Sequence, residues 1–192
     1  MRILVVWIML LAASPLAAQT PFAKKYVNHT EVGGLFGRVK YTMPYDVSQE
    51  LVDNKLNLTA QTFNGIQVTS KTAAGITVGV DWYKNAFINP VAAGVRHDLT
   101  KKRNVNIFGI LDAGYGFAWF HDDPEGFKTT GGIMVNPGVG IRCGKEGKGA
   151  FTFTISYKRQ EANVDKPPLW DQTERNESRS YNRLGLRIGI SF

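Results

Sequence analysis

From Tyr181 to Phe192 the chain alternates strictly. Leu184, Leu186, Ile188, Ile190 and Phe192 fall on one face, and Arg183, Gly185, Arg187, Gly189 and Ser191 on the other. Only a two-residue repeat separates residues in this way, so the segment is predicted to be a β-strand with one apolar face and one polar face. The same period recurs upstream. Phe151, Phe153, Ile155 and Tyr157 oppose Thr152, Thr154, Ser156 and Lys158; Ile76, Val78, Val80 and Trp82 oppose Thr77, Gly79 and Asp81. Between these, Val105, Ile107, Leu111, Tyr115, Phe117 and Trp119 oppose Asn106, Asp112, Gly114 and Gly116. Eight segments in all have strand character: Val32 to Thr42, Thr59 to Ser70, Ala74 to Tyr83, Phe87 to Asp98, Asn104 to Phe120, Gly131 to Cys143, Ala150 to Gln160 and Tyr181 to Phe192. Each is long enough to cross a bilayer at the tilt of a barrel strand, and their even number suits antiparallel closure.

The connections alternate as well. Lys71 to Ala73, Leu99 to Arg103 and Gly144 to Gly149 are short, whereas Met43 to Leu58 and Glu161 to Ser180 are long and His121 to Thr130 intermediate. Short turns on one side and longer loops on the other are a property of outer-membrane barrels. The tight turn at Lys84 and Asn85 departs from that parity, as any β-hairpin can. On this threading Tyr41, Trp82, Phe87, Trp119, Tyr157 and Tyr181 reach the outer rim from six strands, the arrangement of an interfacial aromatic girdle.

The amino terminus has the layout of a signal peptide: Arg2, an apolar run from Ile3 to Ala13, and small residues through Ala18. Cleavage near Ala18 or Gln19 is expected. Residues 1–18 are then the signal, 19–31 a short periplasmic segment and 32–192 a single barrel domain. Cys143 is the one cysteine, so no internal disulfide forms even in an oxidising compartment, and strand pairing must supply the stability. The net charge of +7 would raise nucleic acid as a partner, but export and the spread of the basic residues argue against it.

Alternation alone also fits a soluble lipocalin-type barrel with its apolar face turned inward around a ligand. Glycines on the polar faces, such as Gly79, Gly114, Gly138 and Gly185, favour the membrane arrangement, because a narrow lumen needs small residues beside large ones.

With its closing strand Tyr181 to Phe192, alternating and ending in Phe, the mature chain resembles the small, eight-stranded outer-membrane β-barrel superfamily of Gram-negative envelopes. The resemblance implies an all-β fold, an eight-stranded antiparallel up-and-down transmembrane β-barrel. It also implies that Leu184, Leu186, Ile188, Ile190 and Phe192 form the signal read by the barrel-assembly machinery. Periplasmic chaperones during biogenesis, and outer-membrane lipid and lipopolysaccharide as neighbours, follow from the same likeness. No activity follows, since the superfamily contains adhesins, enzymes and structural anchors.

Candidate chemistry is sparse. Asp81, Arg96, Asp112, Arg142, Lys158, Arg183 and Arg187 fall on polar faces and are expected to pair into a charged plug, because an eight-stranded barrel is just wide enough for its own side chains. A narrow ion path is the alternative. A lipid A-modifying enzyme is another, but the His and Ser two residues apart that lipid A deacylases resemble one another in is not present. Of the three histidines, His29 and His97 map to the periplasmic rim and only His121 lies near the outer leaflet. No catalytic, cofactor-binding or metal-ligating set is assigned and no cofactor is expected, so the role is read as structural or interactive.

Charge placement adds one hypothesis. The three longer connections each carry a net charge of minus two, while the short turns sum to plus five. Acidic loops could share divalent cations with lipopolysaccharide phosphates, and basic turns could meet anionic inner-leaflet headgroups. Ordinary solubilising charge explains the same pattern. In the last loop, Trp170 follows a stiff Lys166-Pro167-Pro168-Leu169 run and is a candidate contact for a surface partner.

Overall fold

Extended segments with one small or polar face and one apolar face pair with their sequence neighbours, and the last pairs with the first. The computed structural model describes residues 25–43, 46–83, 86–100, 104–121, 123, 125–144, 149–166 and 175–192. These contain β1 (Tyr26–Met43), β2 (Asp46–Gln67), β3 (Thr72–Tyr83), β4 (Ala86–Asp98), β5 (Val105–Phe117), β6 (Lys128–Thr130), β7 (Gly132–Gly144), β8 (Ala150–Lys166) and β9 (Arg175–Ser191). The short β6 leads into β7 and pairs with β8 from Lys128↔Asp165 to Thr130↔Asn163. All pairings are antiparallel, and β9 returns to β1 from His29↔Ser191 to Phe36↔Leu184. The staves β1, β2, β3, β4, β5, β7, β8 and β9 therefore close into an eight-stranded barrel.

The boundaries differ from the sequence expectation at two places. β1 starts at Tyr26, not Val32, so most of the segment assigned to residues 19–31 that is described belongs to the first stave. Asn28 and Phe192 exchange backbone hydrogen bonds of 3.0 and 3.1 Å there. The alternation is hidden because the outer face is polar at this end: Asn28 bonds Thr62 at 3.1 Å and Asn64 at 2.8 Å, and Thr30 meets Thr62 at 3.0 Å. At the other end, the spans read as long loops, Met43 to Leu58 and Glu161 to Ser180, are largely strand. The β1–β2 ladder climbs to Met43↔Asp46, whereas β2–β3 stops at Leu58↔Trp82. The β8–β9 ladder likewise reaches Lys166↔Arg175. Two long hairpin arms thus rise beyond the closed cylinder at the rim opposite the chain termini.

Two prolines sit in the wall. Ladder pairs are missing between Val78↔Val91 and Asp81↔Ile88, beside Pro90, and between Val135↔Arg159 and Gly138↔Ser156, beside Pro137. A proline donates no backbone hydrogen bond, and the register resumes unchanged beyond each.

The faces are inverted relative to a water-soluble protein. Ile76, Val78, Leu111, Ile133, Val139, Phe153, Ile155, Ile188 and Ile190 are exposed on the outside, while Asp81, Arg96, Asp112, Lys158 and Arg187 are buried within. The interior is not uniformly polar, however. Leu35, Phe63, Ile88, Phe108, Ile110 and Met134 also face inward and are buried.

Inner-face glycines let neighbouring backbones and these large side chains approach. At Gly114 a Cβ would lie 2.2 Å from the Val91 carbonyl oxygen and 2.4 Å from the Ala92 Cα, neither of which can move alone. At Gly109 the nearest atom would be 4.0 Å away. Gly114→Ala is therefore expected to destabilise the barrel by about 1–3 kcal/mol, the range for overpacking. Gly109→Ala should be close to neutral. Equilibrium urea unfolding of the two variants in the same lipid checks this.

Candidate functional site

The side chains inside the barrel form a dense polar arrangement, and one centre of it is Asp112 on β5. Arg96 on β4 approaches it at 2.7 Å, Thr77 on β3 donates to the same oxygen at 2.7 Å, and Asn136 on β7 donates to the other at 3.1 Å. Both ionic partners are buried, and the Arg96 guanidinium lies 4.3 Å from the centroid of the Phe63 ring. A second cluster surrounds Glu31 on β1. It accepts from Thr154 on β8, from Gln61 on β2 at 3.2 Å and from Arg187 on β9 at 3.4 Å. Arg187 also donates to Ser156 at 2.9 Å. A third joins Asp81 on β3 to Lys158 on β8 across the lumen, with Thr59 donating to Asp81 at 2.7 Å. Towards the terminal rim Arg142 on β7 reaches both oxygens of Asp98 at 2.8 Å.

The structure thus brings Asp81 to Lys158 and Arg96 to Asp112. It gives Arg142 and Arg187 partners that sequence reasoning did not single out, Asp98 and Glu31. Glu31 was overlooked because the first strand was started at Val32, just past it; its signal was the spacing Glu31, Gly33, Leu35 on one face. Arg183 is buried without joining any of these clusters.

Above the ions the lumen turns apolar, where Leu35, Tyr83, Ala86, Ile88 and Ala162 pack together with Tyr181 against them. Tyr83 and Tyr181 stack at 4.4 Å. This corrects the expectation for Tyr181, which shares the inward face of Arg183 by the two-residue period and so cannot belong to an external girdle. Near the opposite end His29 is buried edge-on to Phe108, ring centroids 5.3 Å apart, with neither ring nitrogen hydrogen-bonded. It lies inside the barrel wall, not on a solvated rim. His97 is exposed at that rim and meets the Thr72 hydroxyl at 2.9 Å.

A search of protein-family models found no match, and no curated protein matched the chain convincingly. Among solved structures, the chain is similar to the outer membrane protein AlkL, determined by solid-state NMR in DMPC lipid bilayers. The TM-score is 0.50 at 12% sequence identity, over 93% of this chain and 94% of that one. The fold is that of an eight-stranded outer-membrane barrel.

On the outer surface of this barrel Trp82, Trp119 and Tyr157 are exposed, with Trp82 at 63%. Phe87 is half-buried and packs edge-on against Trp82 at 6.1 Å. The side chain of Tyr41 and all of Trp170 lie outside the described residues. The strand Leu184, Leu186, Ile188, Ile190 and Phe192 points outward along its length, paired on both sides. Tyr115, Phe117, Ala118 and Trp119 line an external groove of about 610 Å³ whose edge is fixed by the Tyr115 hydroxyl donating to Gly131 at 2.7 Å.

The connection between β5 and β6 carries His121. Its Nδ1 accepts from the Phe87 N–H at 3.3 Å and its Nε2 lies 3.2 Å from Asp123. Asp123 in turn accepts from the Thr129 N–H at 2.7 Å and its hydroxyl at 2.6 Å. Both imidazole nitrogens are thus engaged in holding the connection. Among the described residues no group of three or more His, Cys, Asp or Glu is arranged to hold a metal ion.

Two predictions follow from this geometry. Asp112→Asn removes the charge opposite Arg96 while keeping the side chain's shape, and it leaves a buried guanidinium uncompensated. A loss of about 3–5 kcal/mol is expected, against at most about 1 kcal/mol for Arg159→Gln in the exposed Arg159–Glu161 pair. Urea unfolding distinguishes the two. Around Asp123, partial burial raises the carboxyl's pKa, but the two Thr129 hydrogen bonds and neighbouring His121 outweigh it and hold the group below the ordinary 3.8. The stabilisation is therefore complete above the ordinary pKa and is lost as pH falls through the lowered one. The Thr129 amide proton should move upfield through that acid transition in NMR spectra, and Asp123→Asn should abolish the movement.

Proposed function

We propose that this chain is an integral outer-membrane protein whose barrel spans the bilayer with both ends of the mature chain in the periplasm. It acts as a membrane-embedded scaffold that presents the β1–β2 and β8–β9 arms at the cell surface. The observation that carries this reading is the inversion of the barrel: an exposed apolar wall outside and ion pairs inside. In water that wall would be a very large apolar patch, whereas in lipid it is the matched surface. A lipocalin-type ligand barrel needs the opposite arrangement, with an apolar interior cavity around a ligand and a polar exterior.

The role is non-catalytic and non-conducting. An ion pair crosses the lumen between β3 and β8, and the stacked Tyr83 and Tyr181 lie beyond it. An eight-stranded barrel leaves little space once such side chains are in place. His121, the histidine nearest the outer leaflet, has both nitrogens engaged in a structural latch, not facing a hydroxyl nucleophile. Residues 1–18 serve as the export signal. Basic turns at the terminal rim face the periplasmic leaflet, and the acidic connections meet the lipopolysaccharide layer, with divalent cations as bridging ions.

A single preparation tests the reading. Protein from purified outer membranes should migrate differently on a denaturing gel with and without boiling, and the unboiled form should give no steady single-channel conductance in a planar bilayer. A soluble, unshifted protein would overturn the membrane assignment. A stable conductance would overturn the filled lumen.

A further inference from the structure

Inside the barrel Arg96, Arg142, Lys158 and Arg187 each face a carboxylate. Arg183 does not. It is only 4% exposed, its Nε has no hydrogen-bond partner, and Nη1 reaches the adjacent Asn182 carbonyl at 3.3 Å. Its cross-strand partner is Lys158, a second cation. The carboxylate that Lys158 meets, Asp81, already receives Lys158, Thr59 and the Tyr83 hydroxyl. Like charges directly opposite on one face repel, and a guanidinium cannot shed its proton to escape burial. A buried cation of this kind requires a counter-charge.

Its position indicates where one enters. The β1–β9 ladder ends at Phe36↔Leu184; above it β1 continues with β2 alone and β9 with β8 alone. Arg183 and Gly37 are the first inward residues past that fork. A Cβ at Gly37 would lie 2.2 Å from the Arg183 Nη1 and 2.5 Å from its Cδ, so glycine makes the room that the guanidinium occupies. The Tyr181 ring, 5.8 Å away, forms one wall.

We propose that the fork between β1 and β9 is an oxyanion site, in which a phosphate-type group from outside the barrel completes the charge of Arg183. The planar guanidinium offers paired donors suited to phosphate oxygens, and the parted strands leave the cylinder wall unlaced at this point. The group could be inorganic phosphate or the headgroup of an anionic lipid, and the two are separable by experiment.

Full-length mature protein in phosphatidylcholine bilayers would be unfolded thermally in sodium phosphate and in sodium chloride of equal ionic strength. A parallel series, free of phosphate, would replace part of the phosphatidylcholine with phosphatidylglycerol. Phosphate, phosphatidylglycerol or both should raise the Tm by about 2–4 °C or more, growing with concentration. A shift with phosphate alone identifies a free anion, and one with phosphatidylglycerol alone a lipid headgroup. Arg183→Gln should abolish the shift, and Arg159→Gln, altering an exposed arginine, should retain it. No shift in the unmodified protein, or an undiminished one in Arg183→Gln, overturns the site. If Arg183→Gln does not assemble, Arg183→Lys decides: a reduced shift supports paired recognition, and an undiminished one overturns it.

Discussion

Two carboxylates hold all eight staves. Asp112 on β5 gathers Thr77 from β3, Arg96 from β4 and Asn136 from β7. Glu31 on β1 gathers Gln61 from β2, Thr154 from β8 and Arg187 from β9. The division matters because the second group straddles the seam where the chain's last strand meets its first, the closure with the greatest sequence separation. Closing such a loop is opposed by chain entropy, and charge-assisted bonds in a water-poor interior are among the stronger local terms available to hold it. The backbone ladder alone does not specify which residues face inward at the seam. A one-residue slip would turn Glu31 and Arg187 outward onto the apolar wall, so the ion pair also fixes the register.

The interior volume imposes the second constraint. Eight strands enclose a space that side chains must fill without colliding, and the large inward residues lie over glycines. Phe108 covers Gly140, where a Cβ would sit 2.5 Å from the ring, and Phe63 covers Gly65 at 2.6 Å. These rings carry the cations: Arg96 lies over Phe63 and Arg142 over Phe108. Aromatic faces therefore do part of the work of solvating the guanidinium groups that water would do in a wider pore. The same packing that stabilises the barrel removes the space for a channel.

How much of this was legible followed from the solvent each stretch faces. Strands β3, β5, β8 and β9 alternate cleanly because one face meets an apolar environment and the other a polar, glycine-rich one. The alternation does not mark Phe63, Phe108 and Ile110, which are apolar yet face inward, since a filled lumen needs bulk as well as charge. The arms were invisible for the opposite reason. The stretches 43–58 and 161–180 are rich in polar and charged residues and show no sustained two-residue alternation, so polar strand looks like loop. Of the lumen charges, the residue types and faces could be read, but pairings such as Asp81 with Lys158 could not. They join staves on opposite sides of the cylinder, and no local spacing encodes that neighbourhood.

The upper limit of the apolar wall can be placed from two independent patterns. By backbone pairing, the closed cylinder ends where β2–β3 stops at Leu58↔Trp82 and β1–β9 stops at Phe36↔Leu184. By side chain, the exposed amphipathic aromatics fall on the same level: Trp82 is the partner of Leu58, and Tyr157 is the partner of Leu184. In hydrocarbon an unpaired strand edge is too costly to persist, so the wall must be fully laced wherever lipid touches it. Above that level β1 and β9 separate, β1 continuing with β2 and β9 with β8. Arg183 sits inside, one residue beyond this boundary. Among the described residues, the inward cation that no ion pair neutralises thus lies where the wall first opens, which is where an external counter-charge would have access.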